Sequence, residues 1–260
     1  MMNFDLSVLE PFMLVGMRVT GVVLTAPILS GIQLPGRVKA FFALALSLVL
    51  FGALDGKMQN MTGLPLTILL LKMGIEFLIG VGVGLAFRWA MSAAGMAGEL
   101  MGLQMGIGIA TTVDPTSGQG AVLTESLMTL TFGTLFLAFD GHHEVIRSLR
   151  ASFEAVPPGG GSFHSNVVLQ LIPQTMAMFG IGLRLAVVVM LPLFLVSIGL
   201  ALVSRAFPQA NIFSLGYSIT LLLGLVLLAS SGPALQAAVV QGIRSGTHDA
   251  LMWTQGFIPR

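Results

Sequence analysis

Residues 102–119 read G-L-Q-M-G-I-G-I-A-T-T-V-D-P-T-S-G-Q, and a continuous helix cannot run through them. Gly106, Gly108 and Gly118 add backbone freedom to the unfolded chain, and Pro115 pushes Asp114 out of the α region. The run lies between two apolar patterns of helical length. Irregular backbone at membrane depth is tolerated only where protein buries it or where it lines a water-filled cavity. The pattern therefore predicts a loop over about 106–120 inside a protein-walled passage.

The membrane setting follows from composition. The 260 residues are 55% hydrophobic and only 9% charged, against about 25% charged in soluble domains. Lipid or partner subunits must cover much of such a surface. A net charge of +1 excludes a strongly basic footprint, so nucleic acid is not an expected partner. With no cysteine, disulfides and thiolate metal sites are excluded. Asp5 and Glu10 precede the first apolar run, unlike the positive start of a secretory signal, so a retained helix is expected there.

Apolar segments fall near 12–34, 40–54, 64–90, 121–139, 167–203 and 212–231, with a softer Gly- and Met-rich segment at 91–105. A spanning helix needs roughly 20 apolar residues. The chain reads as all-α, about six hydrophobic helices arranged partly as hairpins, forming one unit over 1–260. Pro173 and Pro192 are expected to kink or split the long segment. Residues 142–156 read as an amphipathic connector, with Val145, Leu149 and Phe153 on one face and Glu144, Arg147, Arg150 and Glu154 around the other.

Several constellations bear on function. Ala90, Ala94, Gly98, Gly102 and Gly106 recur every four residues, and Gly80 and Gly84 repeat the spacing earlier. Such stripes let helix backbones approach closely, within the chain or against other subunits. Arg18, Lys72, Glu76, Arg88, Glu99, Glu125 and Arg184 are ionisable residues inside apolar segments. A charge at the bilayer centre costs at least about 2.5 kcal/mol, so these are expected in ion pairs buried within the chain or an assembly. Lys72 and Glu76, four apart, can pair on one helix face. Met96, Met101 and Met105 precede the irregular run; methionine fills gaps in cores and also makes deformable surfaces. His142-His143-Glu144 lacks the four-residue His spacing of a helical zinc site, and adjacent helical side chains diverge by about 100°, so no metal site is expected. No nucleotide motif, nucleophile elbow or cofactor signature occurs, and no enzyme activity is expected.

The chain resembles the FliR family, the export-gate subunits of flagellar type III secretion, which are related to export proteins of injectisomes. The resemblance rests on R-V-T-G-V-V-L-T-A-P-I-L at 18–29, L-P-G-R-V-K at 34–39 and G-L-Q-M-G-I-G-I-A-T-T-V-D-P at 102–115. It continues in F-D-G-H-H at 139–143 and P-Q-A-N-I-F-S-L-G at 208–216. The family typically has a bulky aromatic at the position of Ile107, and small or aliphatic residues where Thr111 and Thr112 stand. The resemblance implies a bacterial inner-membrane location at the flagellar basal body. It implies assembly with FliP-like and FliQ-like subunits into a closed pore, wrapped by FlhB, with FlhA below, through which unfolded flagellar proteins pass. It also implies that Gly106, Ile107, Gly108, Ile109, Ala110, Asp114, Pro115 and Gly118 form a pore plug, with Met101 and Met105 lining its approach. Many of the helices would then pack on partner helices rather than on membrane lipid.

A rival reading from the residues is a secondary transporter with a broken-helix ion or solute site carried by Glu99, Glu125 and Arg184. The two halves of the chain show no internal repeat of the kind such transporters usually carry.

Overall fold

The computed structural model describes residues 9–27, 35–54, 65–107, 123–163, 166–206 and 212–259, and among these there is no strand. The helices are α1 (Leu9–Thr25), α2 (Gly36–Ala53), α3 (Leu66–Gln104), α4 (Leu123–Ala138), α5 (Gly141–Ala155), α6 (Asn166–Leu169), α7 (Leu171–Ala206), α8 (Ile212–Ser230) and α9 (Gly232–Gln255). Among the described residues, Gly36–Ala53, Leu66–Gln104 and Val167–Ala206 are long and apolar enough to cross a membrane.

The helices differ from the sequence expectation in three places. The segments at 64–90 and 91–105 join into one 39-residue helix, α3, because no proline or polar cluster interrupts 66–104. Helix α7 continues for 36 residues through Pro192, so neither proline splits the segment. Pro173 sits in the first turn of α7, where the backbone N–H has no intrahelical partner. Pro192 removes one hydrogen bond from a long ladder, which the rest of the helix tolerates. Helix α9 was not expected, because Gly232–Gln255 mixes Gln, Arg, His and Asp among its apolar residues. It follows a one-residue break at Ser231, where the axis turns by 51° relative to Gly216–Ser230.

Several hydroxyls on the apolar helices are satisfied within their own helix. Thr131 and Thr134, both exposed, donate to the carbonyls of Leu127 and Leu130 at 2.7 and 2.9 Å. Ser47 and Ser197 do the same to Ala43 and Leu193. A hydroxyl bonded to the carbonyl three or four residues back needs no water, so it does not prevent an apolar environment from covering the helix.

The chain divides into two compact units. The first comprises 1–89, 139–175 and 242–260. Its core joins Ile79, Val156, Val167, Trp253 and Phe257, with Ile75 and Leu171 packed on it. Trp253 donates its indole N–H to the Leu78 carbonyl at 3.3 Å. Helix α5 lies in this unit with Val145, Leu149 and Phe153 buried, while Arg147–Glu144 and Arg150–Glu154 pair on its outer side at 2.6 and 3.5 Å.

The second unit comprises 90–138 and 176–241. Its buried residues include Ala93, Ala94, Ala97, Met101, Met105, Met128, Phe132 and Phe136. Phe132 and Phe136 stack at 6.5 Å.

Candidate functional site

Helix α3 ends where the irregular run begins, and its last turn shows why. Gly106 takes φ of 79°, in the left-handed region. The Ile107 N–H donates to the Gly102 carbonyl at 3.0 Å, and the Gly106 N–H to the Leu103 carbonyl at 3.1 Å. These two bonds, with the glycine between them, form a Schellman motif that satisfies the last carbonyls of the helix. Of the residues named for the plug, Gly106 and Ile107 are described; Gly108, Ile109, Ala110, Asp114, Pro115 and Gly118 lie outside the described residues.

Met101 and Met105, named for the approach to the plug, sit in the interior of the chain. Both are fully buried, and a Cβ placed on Gly224 would lie 2.5 Å from Cγ of Met105. In this chain they fill core gaps, as flexible thioethers do.

The small-residue stripe packs within the chain. A Cβ on Gly98 would lie 2.6 Å from the Thr124 carbonyl oxygen and 2.7 Å from Cα of Glu125, so α3 and α4 touch backbone to backbone. Ala90 and Ala94 are buried on the same stripe, as is Gly102. Gly80 faces the backbone of Arg18, and Gly84 faces the Thr25 hydroxyl and the backbone of α1. Gly21 answers from the other side, where a Cβ would lie 2.5 Å from the Phe77 carbonyl oxygen.

The ionisable residues separate into two groups. Arg18 and Glu76 are both fully buried and form a clamp. Arg18 Nε donates to Glu76 Oε2 at 2.6 Å, and its Nη1 donates to the Ser152 carbonyl at 2.8 Å. The other carboxylate oxygen, Glu76 Oε1, accepts the Gly159 N–H at 2.8 Å. The guanidinium carbon lies 4.2 Å from the centre of the Phe153 ring. One ion pair thus ties α1 and α3 to α5 and the turn that follows it. Both oxygens of Glu76 are held by partners distant in sequence, which the four-residue spacing from Lys72 does not indicate. The buried side is where a planar guanidinium and a backbone N–H can replace the lost water.

The second group lies nearer the surface. Arg88, Glu99 and Arg184 are exposed and Glu125 is half-buried. Among the described residues none of these four makes an ion pair.

Asp140, His142 and His143 gather at the junction of α4 and α5. One ligand atom from each lies within 4.8 Å of the others. The two imidazole centroids are 4.1 Å apart, so the expectation that adjacent histidines diverge does not describe these rings.

A family profile described as bacterial export proteins, family 1, matches residues 9–245. The chain belongs to this family. The Flagellar biosynthetic protein FliR of Escherichia coli (strain K12) is 34% identical over 220 residues, which is 84% of this chain and 82% of that protein. That of Pectobacterium carotovorum subsp. carotovorum is 31% identical over 228 residues, covering 88% and 85%. The Bacillus subtilis (strain 168) protein of the same name is 27% identical over 231 residues, covering 87% and 88%. The family match spans the clamp, the glycine stop of α3 and the α4–α5 junction. The sequence resemblance to FliR proteins and the export-family match thus agree over most of the chain.

Proposed function

We propose that this chain is a pore-forming subunit of the flagellar type III export gate in the bacterial inner membrane, and that residues 106–118 plug the pore. A role in the flagellar export apparatus is the coarser part of this reading. The observation that carries it is membership of the bacterial export family, with relatives named for flagellar biosynthesis.

Two structural features support the finer part. The first is uncovered apolar surface. Phe41 of α2 is 74% exposed, Leu202 of α7 67% and Val226 of α8 65%. Patches of this kind mark partner or membrane contact. FliP-like and FliQ-like helices are the proposed cover, with FlhB and FlhA as further partners. The second is the stop of α3. A 39-residue helix capped at Gly106 gives a rigid base from which the following residues can enter a passage and be displaced. Ile107 and Ile109 would seal, and Asp114-Pro115 would set the exit toward α4. Unfolded export substrates would displace this segment.

The test is co-expression of the chain with its FliP-like and FliQ-like neighbours, followed by native mass spectrometry and an ion-leak assay. A discrete hetero-oligomer is expected, and removal of residues 108–112 should raise ion leakage while the complex still assembles. No association with the co-expressed neighbours, or unchanged permeability in an assembled deletion complex, would count against the gate and the plug respectively.

A further inference from the structure

We propose that Asp140, His142 and His143 form a binding site for a divalent transition-metal ion, of which Zn2+ is the representative. The inference does not depend on the gate reading. It starts from the backbone. Asp140 has φ 57° and ψ 25°, and it is the one non-glycine residue with positive φ among the described residues. An L-residue is strained there. As N-cap of α5, Asp140 would ordinarily turn its carboxylate onto the helix N–H groups, yet it makes no side-chain cap bond. The carboxylate instead faces His143, with Oδ1 3.1 Å from Nδ1.

That separation is the one a metal would use. Two ligands about 2.0–2.1 Å from a tetrahedral ion stand roughly 3.3 Å apart. His142 brings the third donor within 4.8 Å. The side chains of Asp140 and His143 are 72% and 58% exposed, so they are free to rotate and close the remaining distance. The rings approach at a tilt of 35° with 4.1 Å between centroids, which places two imidazoles beside one carboxylate. His142 Nδ1 is buried and has no hydrogen-bond partner among the described residues, and such an orphan is a recognised mark of a missing ion or water.

Two imidazoles and a carboxylate suit Zn2+, and also Cu2+ or Ni2+, far better than Mg2+ or Ca2+, which prefer all-oxygen shells. The positive end of the α5 dipole opposes a cation here, and the negative carboxylate offsets it. Three protein ligands leave one position of a tetrahedron to water. Bound metal would fasten the N-cap residue to the first turn of α5.

The experiment uses the full chain in detergent, purified without a histidine tag and stripped with chelator. Co2+ is titrated and read by its visible absorption, then displaced by Zn2+. One ion per chain is expected. Asp140→Asn, His142→Ala and His143→Ala should each weaken binding at least about tenfold, given that even outer-shell partners are worth 10–100-fold. Glu144→Gln, whose carboxylate pairs with Arg147, should bind as the parent does. The variants' unfolding midpoints in chelator establish that they fold. A second readout needs no variant: Zn2+ should protect His142 and His143, but not His248, from acylation by diethyl pyrocarbonate. Absence of saturable binding, equal affinity in the Asp140→Asn/His143→Ala double variant, or no selective protection would each overturn the site.

Discussion

The two units of this chain are held together by different physics. In the first, Arg18, Glu76, the Ser152 carbonyl and the Gly159 N–H form a directional, fully buried polar clamp. In the second, α3 meets α4 through Gly98, and Met105 packs against Gly224; no comparable buried ion pair occurs among its described residues. A polar clamp fixes one geometry, because a buried charge that loses its partner is heavily penalised. Close glycine packing works through many weak contacts and survives small shifts more gradually. Charge partners thus set the geometry inside the first unit, and small residues at helix crossings set it inside the second.

The largest expected effect comes from breaking the clamp on one side. Glu76→Gln or Arg18→Met leaves an uncompensated buried charge or an orphaned carboxylate, and should destabilise the first unit by about 3–5 kcal/mol. The unfolding midpoint of the purified chain, or its yield in membranes, reads this directly. The Arg18→Met/Glu76→Leu double variant sharpens the comparison. Removing both charges together should recover much of the loss, since a well-packed apolar pair is often as stable as a buried ion pair. A double variant worse than either single one would show that the Ser152 and Gly159 bonds, not the ion pair, hold the frame.

A smaller effect is expected in the second unit. Gly98→Leu adds a side chain where even a Cβ would lie 2.6 Å from the Thr124 carbonyl oxygen. The helices must separate, which should cost about 1–3 kcal/mol, as overpacking does. Gly98→Ala should fall between this and the parent. An unchanged unfolding midpoint in Gly98→Leu would mean that α3 and α4 are not held in backbone contact.

These tests reach features that sequence reading treated unequally. The stop of α3 was legible because it is local: a glycine at 106, followed by Gly108, interrupts the apolar pattern within a few residues. The amphipathic face of α5 was legible for the same reason, as a periodicity within 15 residues. The clamp was not, because Arg18 and Glu76 lie 58 positions apart and Ser152 a further 76 along. Spacing on one helix offered Lys72 as the nearest cation, and no local pattern reveals which face of α3 turns inward. The burial of Met101 and Met105 was not legible for a similar reason. Adjacency to an irregular run does not say whether a side chain faces the run or the core. The histidine rings escaped a rule about Cβ directions because side-chain torsions, and the left-handed Asp140, bring their far atoms together.

The smallest effect concerns Arg147 and Glu144, and it isolates what burial adds to an ion pair. Their contact is 2.6 Å, the same as that of Arg18 and Glu76, but the Arg147 side chain is 74% exposed. Water solvates either charge when the partner is removed, so no orphan forms, and exposed pairs are worth about 0.2–1 kcal/mol. Arg147→Ala should therefore shift the unfolding midpoint several-fold less than Glu76→Gln, and the shift should shrink further in high salt, which screens exposed charges but not buried ones. Equal shifts for the two variants would mean that Arg147 contributes through something other than its pair, such as a buried stem packed on α5. A salt-insensitive loss would point the same way.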